Sequence, residues 1–549
     1  MSVRRLPPGV TGDPRLVRIG VGLLREDRDA CPDGRALRAR PLLVRRPDRF
    51  RHRPIEDFFF APVAELLDAV EHNGARLDSA LAGPRHADRC HPMHRAWAAE
   101  AAAVYLAARR RHEAERVAAG HAATVPKAEE WVVIDQLRHP DARGVMQYER
   151  TVWGRRYATD DGSVREIWIP FISTVKDRAD SEISAAAAIA ARGVPAARAE
   201  FRGPYNAIEK DVVLPRRVRV IGVGLGDGGV SVLADWTADE ALDRFRRQAR
   251  RRYAEITDGT GANPGSDCVG CVGLADCTAV REIPGLLGVP APRRPRKRRS
   301  VSVSDLRTYQ KCPARFHMTR TLNITDRGEE SAAIRRGRAV DACLNDRHNG
   351  ADRVPCRRLP LPDAIPGLPA AEQEAAIRML GWHRPLCPLD GLGSAELVQP
   401  QRRLAAYDPI ADVVVIADPD LLYTDRGGWV WRETKTAGKR TWEGESLLSS
   451  HPQIALAVLL MASGVPGGDP GRSRIELELL REDGSALEEF DPSDPALIAE
   501  ARRVVSALAA GWAADETYDP VPGRHCADCE ARRWCPSGPD TTAGGEATR

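Results

Sequence analysis

The sequence predicts an α/β fold built from two related halves. Strand-like runs alternate with helical segments along 549 residues, a length too great for a single hydrophobic core. The spacing C-x2-C-x5-C occurs twice, at Cys268, Cys271 and Cys277 and again at Cys526, Cys529 and Cys535. Because the same spacing closes each half, we infer an internal duplication. The predicted domains are 1–290 and 301–549, joined by a basic, Pro-rich linker at 291–300.

The first half begins with helical segments and continues with strands. Residues 61–82 and 95–119 have helical patterns, and the second of them is rich in Ala with arginines toward its end. Those arginines could contact phosphates, but a solvated helix face explains them better. Strand-like runs follow between residues 130 and 236, with a hairpin turn predicted at Asp160-Asp161-Gly162.

A second hairpin is predicted around the polar turn Asp425-Arg426-Gly427-Gly428. The apolar run VVVIADPDLLYT precedes this turn, and WVWRETK follows it. If Arg426 and Gly427 form a two-residue loop, Asp425 pairs with Gly428. Counting outward then sets Asp420 opposite Glu433 and Asp418 opposite Lys435, and a slip of one residue would break this arrangement.

This register predicts that Asp418, Glu433 and Lys435 converge on one face of the hairpin. Two carboxylates can hold Mg²⁺ or Mn²⁺, which prefer oxygen ligands. Such an ion polarises a phosphodiester and lowers the pKa of a bound water, and a nearby lysine can orient that water or stabilise developing charge. An exposed, salt-bridged hairpin is the alternative interpretation, since the pattern is short.

Further motifs surround this hairpin. They are the helical run RGRAV at 336–340 followed by Asp341, a glutamine at Gln453 with Ala457 four residues later, a possible strand glutamate at Glu396, and the run S-x-S-x-L-x-x-Y-x-x-C-P-x-x-F from Ser302 to Phe316. Together they resemble the PD-(D/E)XK nuclease superfamily, specifically its RecB-like and Cas4-like branch. The resemblance covers roughly residues 301–536. It departs from the family at Asp341, where a histidine is expected, and at Ala457, where a tyrosine is expected.

The resemblance implies a function for these residues. The C-terminal half would be a restriction-endonuclease-like core with a mixed sheet flanked by helices. Asp418 and Glu433 would bind the metal ion with Asp341 as a third ligand, and Lys435 would act on the water nucleophile. Gln453 and Glu396 would support substrate and metal.

The resemblance also implies a cofactor for the second cysteine group. Cys312 would join Cys526, Cys529 and Cys535 around a 4Fe–4S cluster that holds the domain closed. A zinc ion bound by four cysteines is the main alternative, and buried thiols without metal are a weaker one. Cys343, Cys356 and Cys387 have no ligand spacing and are predicted to be ordinary thiols.

The first half is predicted to be a degenerate copy with its own cluster. Arg165-Glu166 compares with Arg432-Glu433, but Trp168 stands where the lysine would be required. For Cys268, Cys271 and Cys277, the fourth ligand is either Cys90, which precedes a helix, or Cys31, which is followed by proline as Cys312 is. We prefer Cys90.

Several classes of protein are disfavoured by the sequence. No run of 18 or more apolar residues predicts a membrane span, and the N-terminus lacks the apolar core of a signal peptide, so a cytoplasmic protein is expected. No Walker A motif is present, so a helicase motor would belong to a partner. The net charge of +4 neither requires nor excludes nucleic acid, although Arg293 to Arg299 could contact a DNA backbone.

We therefore predict a Mg²⁺- or Mn²⁺-dependent DNA nuclease with one or two iron–sulfur clusters, acting on DNA ends in repair, recombination or defence. In an AddB-like arrangement, the first half would grip DNA and a helicase would be the partner. The alternative is a decayed iron–sulfur scaffold that binds DNA without cleaving it, a hypothesis suggested by the departures at Asp341 and Ala457.

Overall fold

A computed structural model describes residues 5–27, 29–44, 55–83, 89–138, 145–208, 212–294, 296–326, 330–350, 352–436 and 446–538. The fold is α/β, as predicted, with mixed sheets flanked by helices. The strands are β1 (Val10–Thr11), β2 (Leu16–Gly20), β3 (Leu43–Val44), β4 (Val125–Lys127), β5 (Glu130–Arg138), β6 (Val145–Thr151), β7 (Arg155–Ala158), β8 (Val164–Phe171), β9 (Val194–Ala197), β10 (Asn206–Ala207), β11 (Arg217–Gly224), β12 (Val230–Thr237), β13 (Arg281–Glu282), β14 (Arg299–Val301), β15 (Val398–Pro400), β16 (Leu404–Asp408), β17 (Val413–Ala417), β18 (Leu421–Asp425), β19 (Gly428–Thr436), β20 (Arg474–Leu480) and β21 (Ser485–Phe490).

The helices alternate with these strands. They are α1 (Pro32–Arg38), α2 (Ala61–Glu71), α3 (Leu77–Leu81), α4 (Pro92–Ala118), α5 (Asp180–Arg192), α6 (Ala238–Gln248), α7 (Arg250–Asp258), α8 (Val303–Lys311), α9 (Pro313–Phe316), α10 (Ala332–His348), α11 (Ala370–His383), α12 (Leu447–Ser450), α13 (Pro452–Ala462) and α14 (Pro495–Ala514).

The predicted second hairpin lies in a five-stranded sheet of order β15-β18-β19-β20-β21. Its predicted register is confirmed, because Asp425 pairs with Gly428 and Leu421 with Arg432. Arg426 and Gly427 both have positive φ, which is the backbone conformation of a two-residue type I′ turn. β19 and β20 are parallel, and the crossover between them carries α13, whose apolar residues are buried in the core together with Trp431 and Leu477.

The first half contains a sheet with the same pattern of connections. Its order is β4-β7-β8-β11-β12, with β7 and β8 antiparallel, β8 and β11 parallel, and β11 and β12 antiparallel. α5 crosses from β8 to β11 as α13 crosses from β19 to β20, and α6 follows β12 as α14 follows β21.

Each half also contains a second sheet, which includes a strand from near the start of that half. β2 runs parallel to β6, which pairs with β5, and β14 runs parallel to β17, which pairs with β16. The last residues of the predicted linker are therefore a strand. Arg299 in this strand lies over the ring of Trp512 at 3.8 Å, and Arg298 pairs with Asp412 at 2.9 Å. Both arginines therefore pack against folded elements, and this end of the predicted linker is not an extended, solvated segment.

Candidate active site

The apolar run before the second turn is two strands rather than one. β17 ends at Ala417 in one sheet and β18 begins at Leu421 in another, so Asp418, Pro419 and Asp420 form the crossing between them. Pro419 has no N–H to donate to a strand ladder, which is consistent with a break at this point. The cross-strand pairing therefore stops at Leu421 and Arg432, before it reaches either aspartate.

The crossing turns Asp420 toward the end of β19. The backbone N–H of Thr434 donates to Asp420 Oδ2 at 2.7 Å, and Lys435 Nζ donates to the same oxygen at 3.2 Å. Lys435 Nζ also donates to Glu433 Oε2 at 2.7 Å. Asp420, Glu433 and Lys435 therefore form one contiguous charged group.

Glu433 is the buried member of this group, with 3% of its surface exposed. Trp431 Nε1 donates to Glu433 Oε1 at 2.9 Å, and this hydrogen bond orients the carboxylate. Burial raises the pKa of Glu433, although Lys435 opposes this shift. Burial lowers the pKa of Lys435, but Glu433 and Asp420 outweigh it, so that pKa lies above its ordinary value. The lysine is therefore held as a cation.

Asp341 approaches the same group from α10. Burial, and then repulsion from Asp420, raise the pKa of Asp341 to about 6. Asn345 Nδ2 donates to one of its carboxylate oxygens at 3.0 Å. Gly337, one turn earlier on α10, would place a Cβ only 2.8 Å from Thr436 Oγ1, so the missing side chain lets this helix approach the end of β19.

Asp418 lies outside this group. Arg403, just before β16, donates to Asp418 Oδ1 at 2.8 Å, and the same guanidinium lies 3.8 Å from Asp29. The expectation that Asp418 joins Glu433 and Lys435 assumed that the hairpin ladder continues through residue 418. The sheet crossing ends that ladder and brings Asp420 into the position expected of Asp418. The Pro419-Asp420 pair directly before a strand was the sequence signal for this residue.

Glu396 and Gln453, the other two predicted supporting residues, lie in different parts of the domain. Glu396 accepts a hydrogen bond from the backbone N–H of Arg426 at 3.2 Å, which puts it at the turn of the hairpin, the end opposite Lys435. Gln453 lies in the first turn of α13, and its buried Oε1 has no hydrogen-bond partner among the described residues. An amide oxygen in that state is available to a ligand.

The first hairpin carries different side chains at the corresponding positions. Ala158 pairs with Arg165, so counting outward from the turn sets Arg155 opposite Trp168. Arg155, Trp168 and Pro170 then stand where the second hairpin has Asp420, Glu433 and Lys435. This differs by two residues from the comparison of Glu166 with Glu433. Glu166 instead accepts hydrogen bonds from Arg116 and Arg219 in a buried ion-pair network.

The four cysteines of the second group come from the two ends of its half. Cys312, Cys526, Cys529 and Cys535 line one pocket. Cys312 precedes Pro313 at the start of α9, and its sulfur accepts from the backbone N–H of Arg315 at 3.5 Å and of Val521 at 3.4 Å. Gly523 N–H points at Cys526 Sγ, 3.4 Å away.

The first cysteine group has the same construction, but with Cys31 in place of Cys90. Cys31, Cys268, Cys271 and Cys277 line one pocket. Cys31 precedes a proline at the start of α1 and accepts from the N–H of Gly34, three residues later, at 3.3 Å and of Asn263 at 3.5 Å. Gly265 N–H lies 3.4 Å from Cys268 Sγ. Gly34 lies three residues after Cys31, and Asn263 and Gly265 lie five and three residues before Cys268. Arg315, Val521 and Gly523 have the same offsets from Cys312 and Cys526 in the second group.

Cys90 lies elsewhere in the fold. It is buried directly before α4, and burial raises the pKa of its thiol to about 12, with Arg95 and Glu56 as its charged neighbours. Our preference for Cys90 used its place ahead of a helix, which Cys31 shares. The Cys-Pro pair common to Cys31 and Cys312 was the more informative signal, because proline at the first helical position sets the cap geometry that aims both sulfurs.

Within the described part of the chain, none of the helices combines the length and the apolar character that a membrane span requires.

Comparison with known proteins gives one family match. Residues 300–536 match the PD-(D/E)XK nuclease superfamily. No curated protein matches the chain. Among solved structures, one titled "Crystal structure of SSO0001" is similar at 16% identity, over 45% of this chain and 90% of that chain, with a TM-score of 0.23. The family match contains Asp341, Asp420, Glu433 and Lys435, together with all four cysteines of the second group. Residues 300–536 of this chain therefore form a domain of the PD-(D/E)XK nuclease superfamily.

Proposed function

We propose that this protein is a Mg²⁺- or Mn²⁺-dependent DNA nuclease whose active site consists of Asp341, Asp420, Glu433 and Lys435. One observation carries the proposal: Lys435 Nζ contacts both the buried Glu433 carboxylate and Asp420, at the end of a strand that α10 approaches with Asp341. Asp420 takes the role that the sequence assigned to Asp418.

The residues fit a hard divalent cation. Asp420 and Glu433 both contact Lys435 Nζ, and Asp341, on a separate element, has its pKa raised by burial and then by Asp420. Repulsion of this kind is relieved when a cation binds between carboxylates. Oxygen donors are also the ligands that Mg²⁺ and Mn²⁺ prefer. When bound, the ion would polarise the scissile phosphodiester and supply a water nucleophile at neutral pH.

Lys435 has an electrostatic role in this proposal. Because its pKa lies above the ordinary value, it holds its proton at neutral pH and cannot accept one from water. Its ammonium can instead donate hydrogen bonds to an attacking water or to a phosphate oxygen, where negative charge develops. Gln453, with its free buried amide oxygen, is proposed to help position the substrate strand.

We also propose that both cysteine groups hold 4Fe–4S clusters, as the RecB-like and Cas4-like resemblance implies for the second group. In each group, backbone N–H groups point at the sulfurs, an arrangement that stabilises cluster thiolates. Four cysteines that line one pocket match the four thiolates that are the usual ligand set of such a cluster.

The first half is proposed to be a DNA-gripping or scaffolding copy. With Arg155, Trp168 and Pro170 at the positions of the charged group, its hairpin has no means of binding a divalent cation there. Cleavage then belongs to the second half alone. A helicase partner, action on DNA ends, and a cytoplasmic role in repair or defence remain parts of this proposal that follow from the resemblance.

The experiment that tests the proposal is cleavage of single- and double-stranded DNA by protein purified without oxygen, with Mg²⁺, Mn²⁺ or chelator. Cleavage should require the metal and vanish in Lys435→Ala. Lys311→Ala, at an exposed position on α8, is the matched control and should cleave normally. Brown protein that binds DNA but does not cleave it under any of these conditions would contradict the nuclease proposal and favour the decayed scaffold that only binds DNA.

A further inference from the structure

Two cysteines predicted to be ordinary thiols lie in a buried group with two histidines. His348, Cys356, His383 and Cys387 each offer one ligand atom, and all four atoms lie within 4.8 Å of one another. None of the four residues is more than 6% exposed. The group lies between α10 and α11, apart from both pockets that the iron–sulfur cysteines line.

The distances within the group match those around a tetrahedral ion. His348 Nε2 lies 3.6 Å from Cys356 Sγ and 3.7 Å from Cys387 Sγ. Zinc binds thiolates at about 2.3 Å and imidazoles at about 2.0–2.1 Å, so a tetrahedral angle separates sulfur from nitrogen by about 3.6 Å. The side chains therefore have the spacing of ligands that share one ion.

His383 is oriented as metal-bound histidines are. Its Nδ1 lies 2.8 Å from Glu478 Oε1, a buried carboxylate on β20. This contact assigns the proton to Nδ1 and leaves Nε2 as the ligand atom, the carboxylate–histidine arrangement that supports zinc ligands. Nε2 is itself buried and has no hydrogen-bond partner among the residues described, a cost that coordination of a metal ion would remove.

We propose that His348, Cys356, His383 and Cys387 bind one Zn²⁺ ion in a closed structural site. A two-iron cluster with two Cys and two His ligands fits less well, because there the thiolates and imidazoles bind different irons and cannot share short contacts. With four protein ligands the ion has no open position for a substrate, so its role is structural.

The proposed zinc site would hold the C-terminal end of α10, the helix that carries Asp341. His348 is the last residue of α10 and His383 the last residue of α11, while the two cysteines lie in the segments that follow these helices. Glu478, the hydrogen-bond partner of His383, also receives the guanidinium of Arg432 at 3.1 Å, on the strand that bears Glu433 and Lys435. The zinc site is thus connected to β19 through two side chains. The existence of the site does not depend on the proposed nuclease activity.

The first test measures zinc and iron in the full chain purified without oxygen. We expect about one zinc per chain beside the iron, falling to near zero in Cys387→Ala while the iron content and visible spectrum stay unchanged. Cys343→Ala, which removes a half-buried thiol of α10 outside the group, should keep the zinc. Cys526→Ala should lose iron and keep the zinc. Zinc that is absent from the wild type, or that disappears with Cys526→Ala instead, would overturn the proposal.

A second measurement avoids any dependence on the folding of the variants. X-ray absorption at the zinc edge of the unmodified protein should give two sulfur neighbours at about 2.3 Å and two nitrogen neighbours at about 2.0 Å. Four sulfur neighbours would place the zinc in a cysteine quartet, contrary to the proposal. A disulfide between Cys356 and Cys387 in freshly purified protein would also exclude the site, because a disulfide sulfur is not a thiolate ligand.

Discussion

Gly337 of α10 packs directly against Thr436 at the end of β19: a Cβ at residue 337 would lie 2.8 Å from Thr436 Oγ1. The contact joins the helix that carries Asp341 to the strand that carries Glu433 and Lys435. A helix interior is normally an unfavourable place for glycine, by about 1 kcal/mol relative to alanine. The packing of α10 against β19 explains why glycine is used here.

We expect Gly337→Ala to reduce metal-dependent cleavage without unfolding the protein, because α10 or Thr436 must shift to admit the methyl group. The matched control is Gly381→Ala on α11, where a Cβ would meet its nearest atom at an ordinary 3.7 Å. That control should gain up to about 1 kcal/mol of stability and cleave normally. Cleavage by Gly337→Ala equal to that of the control would show that the close approach has no role in the active site.

The raised pKa of Asp341 predicts that, without metal, the stability of the folded protein decreases as the pH rises. Its pKa of about 6 in the folded protein lies above the ordinary 3.8, so the folded state binds the proton more tightly. Without metal, this group therefore contributes stability below about pH 4 that is lost as the pH rises through 6. In chelator at pH 8, Asp341→Asn removes a charge that is disfavoured by burial and by repulsion from Asp420, so it should raise the melting temperature by roughly 2–4 °C for each kcal/mol removed.

The same substitution should have the opposite effect when metal is present. Added Mg²⁺ or Mn²⁺ should stabilise the wild type more than Asp341→Asn, and the metal affinity of the wild type should rise between about pH 5 and 7. Thermal unfolding with and without metal measures both effects. Asp346→Asn, at an exposed position of the same helix, is the control. If the two variants respond identically to metal, Asp341 is not a ligand.

The sequence was sufficient for the local geometry and insufficient for the placement of distant segments. The turn at Arg426 and Gly427 fixes the register of the hairpin, and that register was predictable because type I′ turns require positive φ at both positions. The point where the ladder stops depends on a change of sheet between Ala417 and Leu421, which only the packed structure defines. An alternation pattern continues through such a crossing and therefore misplaced Asp418.

The cysteine groups illustrate the same limit. The triplet spacing is local and was visible twice, but the fourth ligand comes from more than two hundred residues away in each half. Cys312 was found through a motif, whereas Cys31 and Cys90 were nearly equivalent as sequence. The histidine–cysteine group is harder still, because its four ligands come from two helix ends and two loops with no recurring spacing.

Iron content distinguishes Cys31 from Cys90. With two 4Fe–4S clusters the wild type should contain about eight iron atoms per chain, and Cys31→Ser should reduce this to about four. Cys90→Ser is the matched control: it replaces another buried thiol ahead of a helix and should leave the iron unchanged. Iron lost from Cys90→Ser and retained in Cys31→Ser would restore the assignment made from the sequence alone. A wild type with about four iron atoms would confine the cluster to one half.

Asp418 and Asp420 offer the sharpest comparison at the active site, because they differ by two residues and have different partners. Asp420 contacts Lys435 Nζ at 3.2 Å, so Asp420→Asn removes a charge from the proposed metal site and should lower the cleavage rate on the order of 100-fold or more. Asp418→Asn breaks only its pairing with Arg403, where both side chains are more than 30% exposed. Such pairs contribute less than about 1 kcal/mol, so this variant should cleave near the wild-type rate. Cleavage rates of the two variants, measured at saturating and limiting Mn²⁺, decide between the aspartates. A severe loss in Asp418→Asn with a mild one in Asp420→Asn would require a rearranged site in which the ladder continues to Lys435.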